Sequence, residues 1–155
     1  MNNLNGYDIE DLAVGMSAIF AKTITEADIV LFAAASGDNN AVHINEQFAK
    51  TTSFGGRIAH GFLTASVISA AVANRLPGPG AIYISQQMSF KAPVRPGDTV
   101  EATVRVKEII LARSRVVLET TCRVGDIVVI EGEALVKTTS LAKREAVAGS
   151  LAKVA

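Results

Sequence analysis

The sequence predicts an α+β fold in which an antiparallel β-sheet wraps around one buried α-helix. Residues 61–76 are apolar or small on nearly every side, which is typical of a helix without a solvent face. From Ile82 onward, apolar and polar residues alternate with a period of two, as in half-buried antiparallel strands. A sheet with one apolar face supplies the cover that such a helix needs, so the two patterns fit one layered fold.

The first elements have clear boundary signals. An early strand is expected at about residues 17–23. Thr25 then has the character of a helix N-cap, because Asp28 follows three residues later as in a capping box. The helix should cover residues 26–36 and end at Gly37, which suits the left-handed position that closes many helices.

Irregular chain should follow and then lead into the buried helix. Residues 38–43 are expected to form a loop, after which Asn45 caps a short helix that extends to Lys50. Residues 54–57 read as a turn. The Pro-Gly-Pro-Gly run at 77–80 should end the buried helix, since proline cannot continue it.

The second half of the chain should form the long strands. The alternation places them at residues 82–90, 100–107, 116–124 and 127–137. Turns are expected at 96–98 and 125–126, and Cys122 should be inert core on the inward face of its strand. The tail from Ser140 has weak periodicity, so we expect it to be frayed or loosely helical.

Composition excludes several classes of function. With 155 residues, the chain suits one domain with one core. The charges of the 15 basic and 15 acidic residues cancel, so we expect no nucleic-acid partner. We also expect no membrane association, because the longest apolar stretch is too short to span a bilayer. The opening residues lack the pattern of a secretory signal, and one cysteine cannot form an intrachain disulfide, which favours the cytoplasm.

Polar residues of this apolar sequence concentrate near one loop, at Asp38, Asn40, His43, His60 and Ser66. A carboxylate and an imidazole separated by four loop residues can converge on one water molecule and divide the handling of its protons. Taken singly, Asp38 is better explained as a solvated loop carboxylate or an Asx turn, His43 as a surface residue or one satisfied by backbone, and Ser66 as a small packing residue. The spacing matches no usual metal signature, so we expect no metal.

Gly61 offers a different group. At the start of the central helix its backbone N–H has no intrahelical partner and lies at the positive end of the helix dipole. Such an N–H can hold a carbonyl oxygen on which negative charge develops. Alternatively, glycine is needed only because the helix passes close to the sheet, and spacing alone does not separate these explanations.

Three blocks of sequence, at residues 32–45, 59–63 and 87–94, resemble the hydratase-2 motif of (R)-specific enoyl-CoA hydratases in the MaoC-like family. The resemblance covers about residues 15–138. It implies a single hotdog domain over residues 1–155, with a loosely ordered tail at 140–155, and a homodimer or higher oligomer. In one departure, Ala41 occupies a position where the family usually has proline, so the loop is expected to be less rigid.

The resemblance also implies a mechanism. Asp38 and His43 would activate water, the Gly61 N–H would polarise the carbonyl of an acyl-CoA thioester, and Asn40 would orient the loop. Addition of water would give an (R)-3-hydroxyacyl-CoA, and the reverse reaction would dehydrate it. Neither direction would need a cofactor. Further expected substrate contacts are His60, Phe62, Leu63 and Ser66. Candidates for binding the CoA phosphates are Arg57, Lys91 and Arg95, and each of them can also be explained as a solvated surface charge.

Other functions of a hotdog domain remain open at this stage. A thioesterase of this fold usually draws a carboxylate from the central helix, and residues 62–76 contain no Asp or Glu. A dehydratase that acts on acyl-carrier-protein thioesters would share the hydratase chemistry. A non-catalytic acyl-CoA-binding module would be favoured had Asp38 or His43 been replaced.

Overall fold

A five-stranded antiparallel sheet and one long helix organise residues 1–2 and 4–151, the part of the chain that the computed structural model describes. The strands are β1 (Ser17–Thr23), β2 (Ile82–Phe90), β3 (Thr99–Ile110), β4 (Arg115–Val124) and β5 (Ile127–Lys137). The helices are α1 (Glu26–Ser36), α2 (Ala41–Ile44), α3 (Glu46–Lys50), α4 (Gly61–Asn74) and α5 (Leu141–Leu151). The sheet order is β1-β3-β4-β5-β2 with antiparallel neighbours, which confirms the α+β prediction.

The core lies between the sheet and α4. The alternation of β3 and β4 is confirmed, because the inward positions of both strands are buried. They pack with α4 in one apolar cluster that includes Val67, Ile68, Ala71, Val100, Val104 and Leu118. Each large side chain buried there stabilises the fold by roughly 1.5–3 kcal/mol. Cys122 belongs to this cluster, and burial raises the pKa of its thiol to about 12, as expected of inert core.

The prediction of a buried central helix is confirmed, because Leu63, Val67, Ile68, Ala71 and Val72 of α4 lie in the core, but the cover is incomplete within a single chain. Helix α4 ends at Asn74, and one of its faces is open: Phe62 is 66% exposed, and Ser66 and Ser69 are exposed beside it. The reason is geometric, since the sheet of one chain curves around only part of the helix. A face of α4 that carries Phe62 and small residues is therefore left uncovered within a single chain.

Helix α1 begins and ends where the sequence predicts. The Thr25 hydroxyl accepts a hydrogen bond from the Asp28 N–H, and the Asp28 carboxylate accepts one from the Thr25 N–H, which completes the capping box. At its other end Gly37 has φ of 79°, in the left-handed region that glycine adopts without strain. The chain therefore turns sharply immediately before Asp38.

The segment after α1 is more regular than expected. Residues 38–40 are irregular as predicted, but Ala41–Ile44 forms a helical turn. The Asn40 side chain accepts a hydrogen bond from the Val42 N–H and so caps this turn, a contact that the sequence-based reading did not include. Asn45 caps α3 as expected, because its side chain accepts from the Phe48 N–H.

The two ends of the chain meet on one side of the fold. Of the two expectations for the tail, frayed or loosely helical, the helical one describes residues up to Leu151, which form α5, and residues 152–155 lie outside the described residues. Arg144 of α5 donates two hydrogen bonds, of 2.9 and 2.8 Å, to the buried carboxylate of Asp8, which fixes the start of the helix.

Among the described residues, no helix combines the length and hydropathy needed to cross a membrane.

Candidate active site

Asp38 lies in the tight connection between α1 and α2 with its carboxylate exposed to solvent. Its backbone N–H donates to the Ser36 hydroxyl at 3.1 Å, and its Oδ1 accepts from the Asn40 N–H at 3.2 Å. The second contact is an Asx-type turn, which bends the chain locally. The carboxylate is thus held near the backbone of its own loop while its other oxygen is left for a ligand.

His43 lies on α2 with only 8% of its surface exposed. Its Nδ1 lies 2.9 Å from the Ile58 carbonyl oxygen. A carbonyl oxygen can only accept, so Nδ1 carries the proton and Nε2 keeps a free lone pair. This is the tautomer that a general base requires, since Nε2 is ready to take a proton.

His60 lies immediately before α4 and is 1% exposed. Its ring stacks on that of His43 with centroids 3.9 Å apart and planes 30° apart, and Phe32 packs against it at 4.9 Å. Its Nε2 lies 3.0 Å from the backbone carbonyl oxygen of Asp38. The structure therefore joins Asp38, His43 and His60, which lie on three separate segments of the chain.

The same three residues lie close enough together to be considered as metal ligands, because one possible ligand atom from each lies within 4.8 Å of the others. However, one nitrogen of each histidine ring already faces a carbonyl oxygen. Stacked rings direct their lone pairs along neighbouring planes, whereas a tetrahedral metal needs them to converge on one point. The arrangement suits acid/base chemistry better, and the absence of a metal stays a prediction.

Gly61 is the first residue of α4 and borders a cavity of about 300 Å³. Ile58, Thr64 and Phe90 line the same cavity. A Cβ at Gly61 would lie 2.8 Å from the Phe90 ring, so close packing does require glycine here. The helix geometry leaves the N–H of this first residue without an intrahelical partner. The packing reason thus holds, and binding of a carbonyl by the N–H stays a prediction.

The other expected substrate contacts are dispersed. Phe62 and Ser66 border a second cavity, of about 330 Å³, between α4 and β2, and the Ser66 hydroxyl donates to the Leu63 carbonyl at 2.6 Å. Leu63 is 7% exposed and belongs to the core cluster, and His60 is enclosed by protein groups. Direct contact of these residues with substrate stays a prediction.

The three candidate phosphate ligands differ in whether a carboxylate already pairs with their positive charge. Arg57 donates two hydrogen bonds to Glu26, and this contact is the main cause that raises the pKa of its guanidinium. Lys91 borders the cavity of Gly61 but is paired with Glu131. Arg95 donates to the Phe54 carbonyl oxygen and has no carboxylate partner among the salt bridges of the described residues. It is the best placed of the three for an anion.

Two contributors escaped the sequence-based prediction. The Ile58 carbonyl fixes the His43 tautomer, and no sequence signal reveals it because every residue has a carbonyl. Phe90 closes the space over Gly61, with its ring 5.8 Å from that of Phe62. Its place at the end of a strand in the Phe-Lys-Ala-Pro block was the available signal.

Comparison with known proteins gives a consistent result. Residues 13–126 match the family described as MaoC like domain. The chain is 56% identical over 128 residues to a 3-hydroxybutyryl-CoA dehydratase of Methylorubrum extorquens, covering 83% of this chain and 82% of that protein. It is 57% identical over 127 residues to an (R)-specific enoyl-CoA hydratase of Rhodospirillum rubrum, covering 82% and 88%. An unliganded R-hydratase structure from Pseudomonas aeruginosa superimposes with a TM-score of 0.82 at 40% identity, covering 87% of each chain.

Proposed function

The chain belongs to the MaoC-like domain family, and from that membership we propose that it is an (R)-specific enoyl-CoA hydratase. The enzyme is a hydro-lyase that adds water to a trans-2-enoyl-CoA to give an (R)-3-hydroxyacyl-CoA, and it also catalyses the reverse dehydration. Relatives named for both directions support this reading, since a catalyst accelerates both directions of one equilibrium.

The observation that carries the chemistry is the convergence of Asp38 and His43. The Asp38 carboxylate accepts a hydrogen bond from the water and orients it. His43 Nε2 takes a proton as the water oxygen bonds to C3, and then returns a proton to C2 on the same face of the former double bond. The proton count balances, and addition to one face gives a single stereoisomer.

Gly61 and Asn40 complete the proposed site. As water adds to C3, negative charge develops on the thioester oxygen, and the Gly61 N–H at the start of α4 stabilises it. Asn40 acts through the loop: it caps α2, which carries His43, and its N–H donates to the Asp38 carboxylate. Its role is therefore to hold the two reacting side chains in register.

The direct test uses crotonyl-CoA and follows the loss of enoyl-thioester absorbance. Asp38→Asn and His43→Ala should each lower the rate by roughly 10²–10⁴-fold, the usual contribution of a general acid or base. Asn39→Ala is the matched control, because Asn39 is exposed in the same loop and its side chain donates to the Gly37 carbonyl oxygen and, among the hydrogen bonds of the described residues, to neither Asp38 nor His43.

The outcomes separate the alternative functions. Release of free CoA thiol without hydration would identify a thioesterase, although α4 supplies no Asp or Glu for one. Hydration of carrier-protein thioesters alone would identify the carrier-protein dehydratase. Binding of acyl-CoA without turnover on any chain length or carrier would contradict catalysis altogether.

We further propose that the working enzyme is a homodimer. Strand β2 is an edge strand, and Ile82, Phe90 and Phe62 on or beside it are 59%, 50% and 66% exposed. An apolar sheet edge next to an apolar helix face is unfavourable in water, and a second copy would cover both. Ultracentrifugation should give the mass of two chains, and Ile84→Lys on β2 should shift it towards one chain. A monomeric wild-type protein would contradict this proposal.

The remaining expectations concern setting and cofactors. We propose a cytoplasmic location, supported by a single, buried cysteine that needs no oxidising compartment. We also propose that the reaction needs no metal or organic cofactor, because the residues described above account for every proton moved. Exhaustive dialysis against a chelator should leave the hydration rate unchanged, and loss of activity that returns with added metal would contradict this.

A further inference from the structure

His60 lies against Asp38, His43 and Gly61 of the proposed site although it is not needed for the proton transfers. Its side chain faces the Asp38 loop, its ring lies on the His43 ring, and its own peptide unit precedes Gly61. The His60 carbonyl oxygen also accepts from the Thr64 N–H in the first turn of α4, at 3.1 Å. His60 thus connects the segment that carries Asp38 and His43 to the start of α4.

The hydrogen bond to the Asp38 loop defines which ring nitrogen of His60 carries the proton. Because the Asp38 carbonyl oxygen only accepts, His60 Nε2 must carry the proton and donate at 3.0 Å. This bond spans 22 residues of chain and joins the loop to the start of α4. Without it, the loop is tied mainly to itself, through the contacts of Ser36, Asn39 and Asn40.

The other ring nitrogen shows that packing alone does not explain a histidine here. His60 Nδ1 is buried and has no hydrogen-bond partner among the described residues. A buried acceptor without a partner costs free energy, and an apolar ring such as phenylalanine would avoid that cost. Phe32 and His43 already provide an aromatic environment for such a ring. The group that distinguishes histidine from phenylalanine in this position is the Nε2–H.

We propose that His60 is a positioning residue, which through its Nε2–H bond to the Asp38 carbonyl oxygen holds the Asp38 carboxylate in register with His43. The inference rests on the proposed hydratase function. It assigns His60 a role distinct from direct contact with the acyl chain. A shift of about 1 Å in a reacting group can lower a rate by about 10²-fold, so one hydrogen bond that fixes the loop is significant.

Two substitutions separate this role from a purely structural one. His60→Gln places an amide N–H near the position of Nε2 and should keep kcat within roughly 5-fold of wild type. His60→Phe keeps the stacked ring but removes the donor, and should lower kcat by roughly 10–100-fold with little change in KM. Melting temperatures of both variants report folding separately. Equal kcat in the two variants, or a rise in KM alone, would overturn the proposal.

A second measurement does not depend on activity. The chain contains two histidines, so ¹⁵N-histidine labelling of protein without a histidine tag gives an imidazole spectrum of only His43 and His60. Near neutral pH, His60 should be the Nε2–H tautomer and His43 the Nδ1–H tautomer, with assignment from His60→Gln. A His60 ring protonated at Nδ1 alone would overturn the proposal. An inactive wild-type protein with the expected tautomers would instead refute the hydratase function.

Discussion

Replacing Ala41 by proline should stabilise the protein, because its place at the start of a helix and the conformation of the preceding residue both suit proline. Ala41 is the first residue of α2, the position where a missing N–H removes no intrahelical bond. The preceding residue, Asn40, has φ of −55° and ψ of 128°, which keeps it out of the α region that proline disfavours in the residue before it. The N–H groups that hold the turn belong to Val42 and His43 and are left intact.

The expected gain follows from the entropy of the unfolded chain. Proline at a compatible position stabilises a protein by about 0.4–1 kcal/mol. For a chain of this size, 1 kcal/mol corresponds to about 2–4 °C, so Ala41→Pro should raise the melting temperature by about 1–4 °C. Circular dichroism at one fixed protein concentration measures the change, since the proposed dimerisation would make melting concentration-dependent. Hydration of crotonyl-CoA should be unchanged or faster.

Ala34→Pro is the control, because Ala34 is exposed and lies inside α1, whereas Ala41 is half-buried at the first position of α2. There proline removes a helical hydrogen bond and clashes with the preceding turn, at a cost of about 3 kcal/mol. A lowered melting temperature for Ala41→Pro, with Ala34→Pro behaving as expected, would refute the assignment of residue 41 to the first helical position.

Three further predictions follow from single contacts. Gly61→Ala should lower kcat/KM by roughly 10–100-fold in steady-state assays, because its methyl group would displace the Phe90 ring at the cavity. Cys122, whose thiol pKa burial raises to about 12, should react with Ellman's reagent at pH 8 only after denaturation. The Thr25 hydroxyl is the main cause that lowers the Asp28 pKa from 3.8 to about 2, so this contribution to stability exists above pH 3.8 and is lost towards pH 2. Urea unfolding of Asp28→Asn should therefore show a weaker pH dependence across that interval.

The sequence predicted elements whose signals are local. The bounds of α1 follow from Thr25 and Gly37, and β1, β2 and β5 occupy the predicted residues because alternation and turn residues mark strands directly. The buried helix α4 was predicted, but its open face was not, since the apolar pattern of a helix does not show how much of it its own sheet covers. The single turn of α2 was missed because four residues show no period.

Site residues followed the same division. Asp38 and His43 were found as side chains of reactive type within one loop, and the structure brings them together. The link from His60 to the Asp38 carbonyl could not be predicted, because it joins a side chain to backbone 22 residues away. The sequence offered Arg57 as a candidate for the CoA phosphates, because it does not show which carboxylates lie nearby. In the folded chain Arg57 forms ion pairs with Glu26 and Glu46. Contacts that depend on tertiary packing are thus the part that local patterns do not encode.

Hydration of crotonyl-CoA in D₂O, with the configuration at C2 and C3 of the product determined by NMR, tests the central claim most directly. If Asp38 and His43 handle one water on one face of the double bond, the product is the (R)-3-hydroxy thioester, with deuterium at C2 on the face that received the hydroxyl group. An (S)-alcohol, or deuterium delivered to the opposite face, would contradict catalysis by this pair as the structure arranges it.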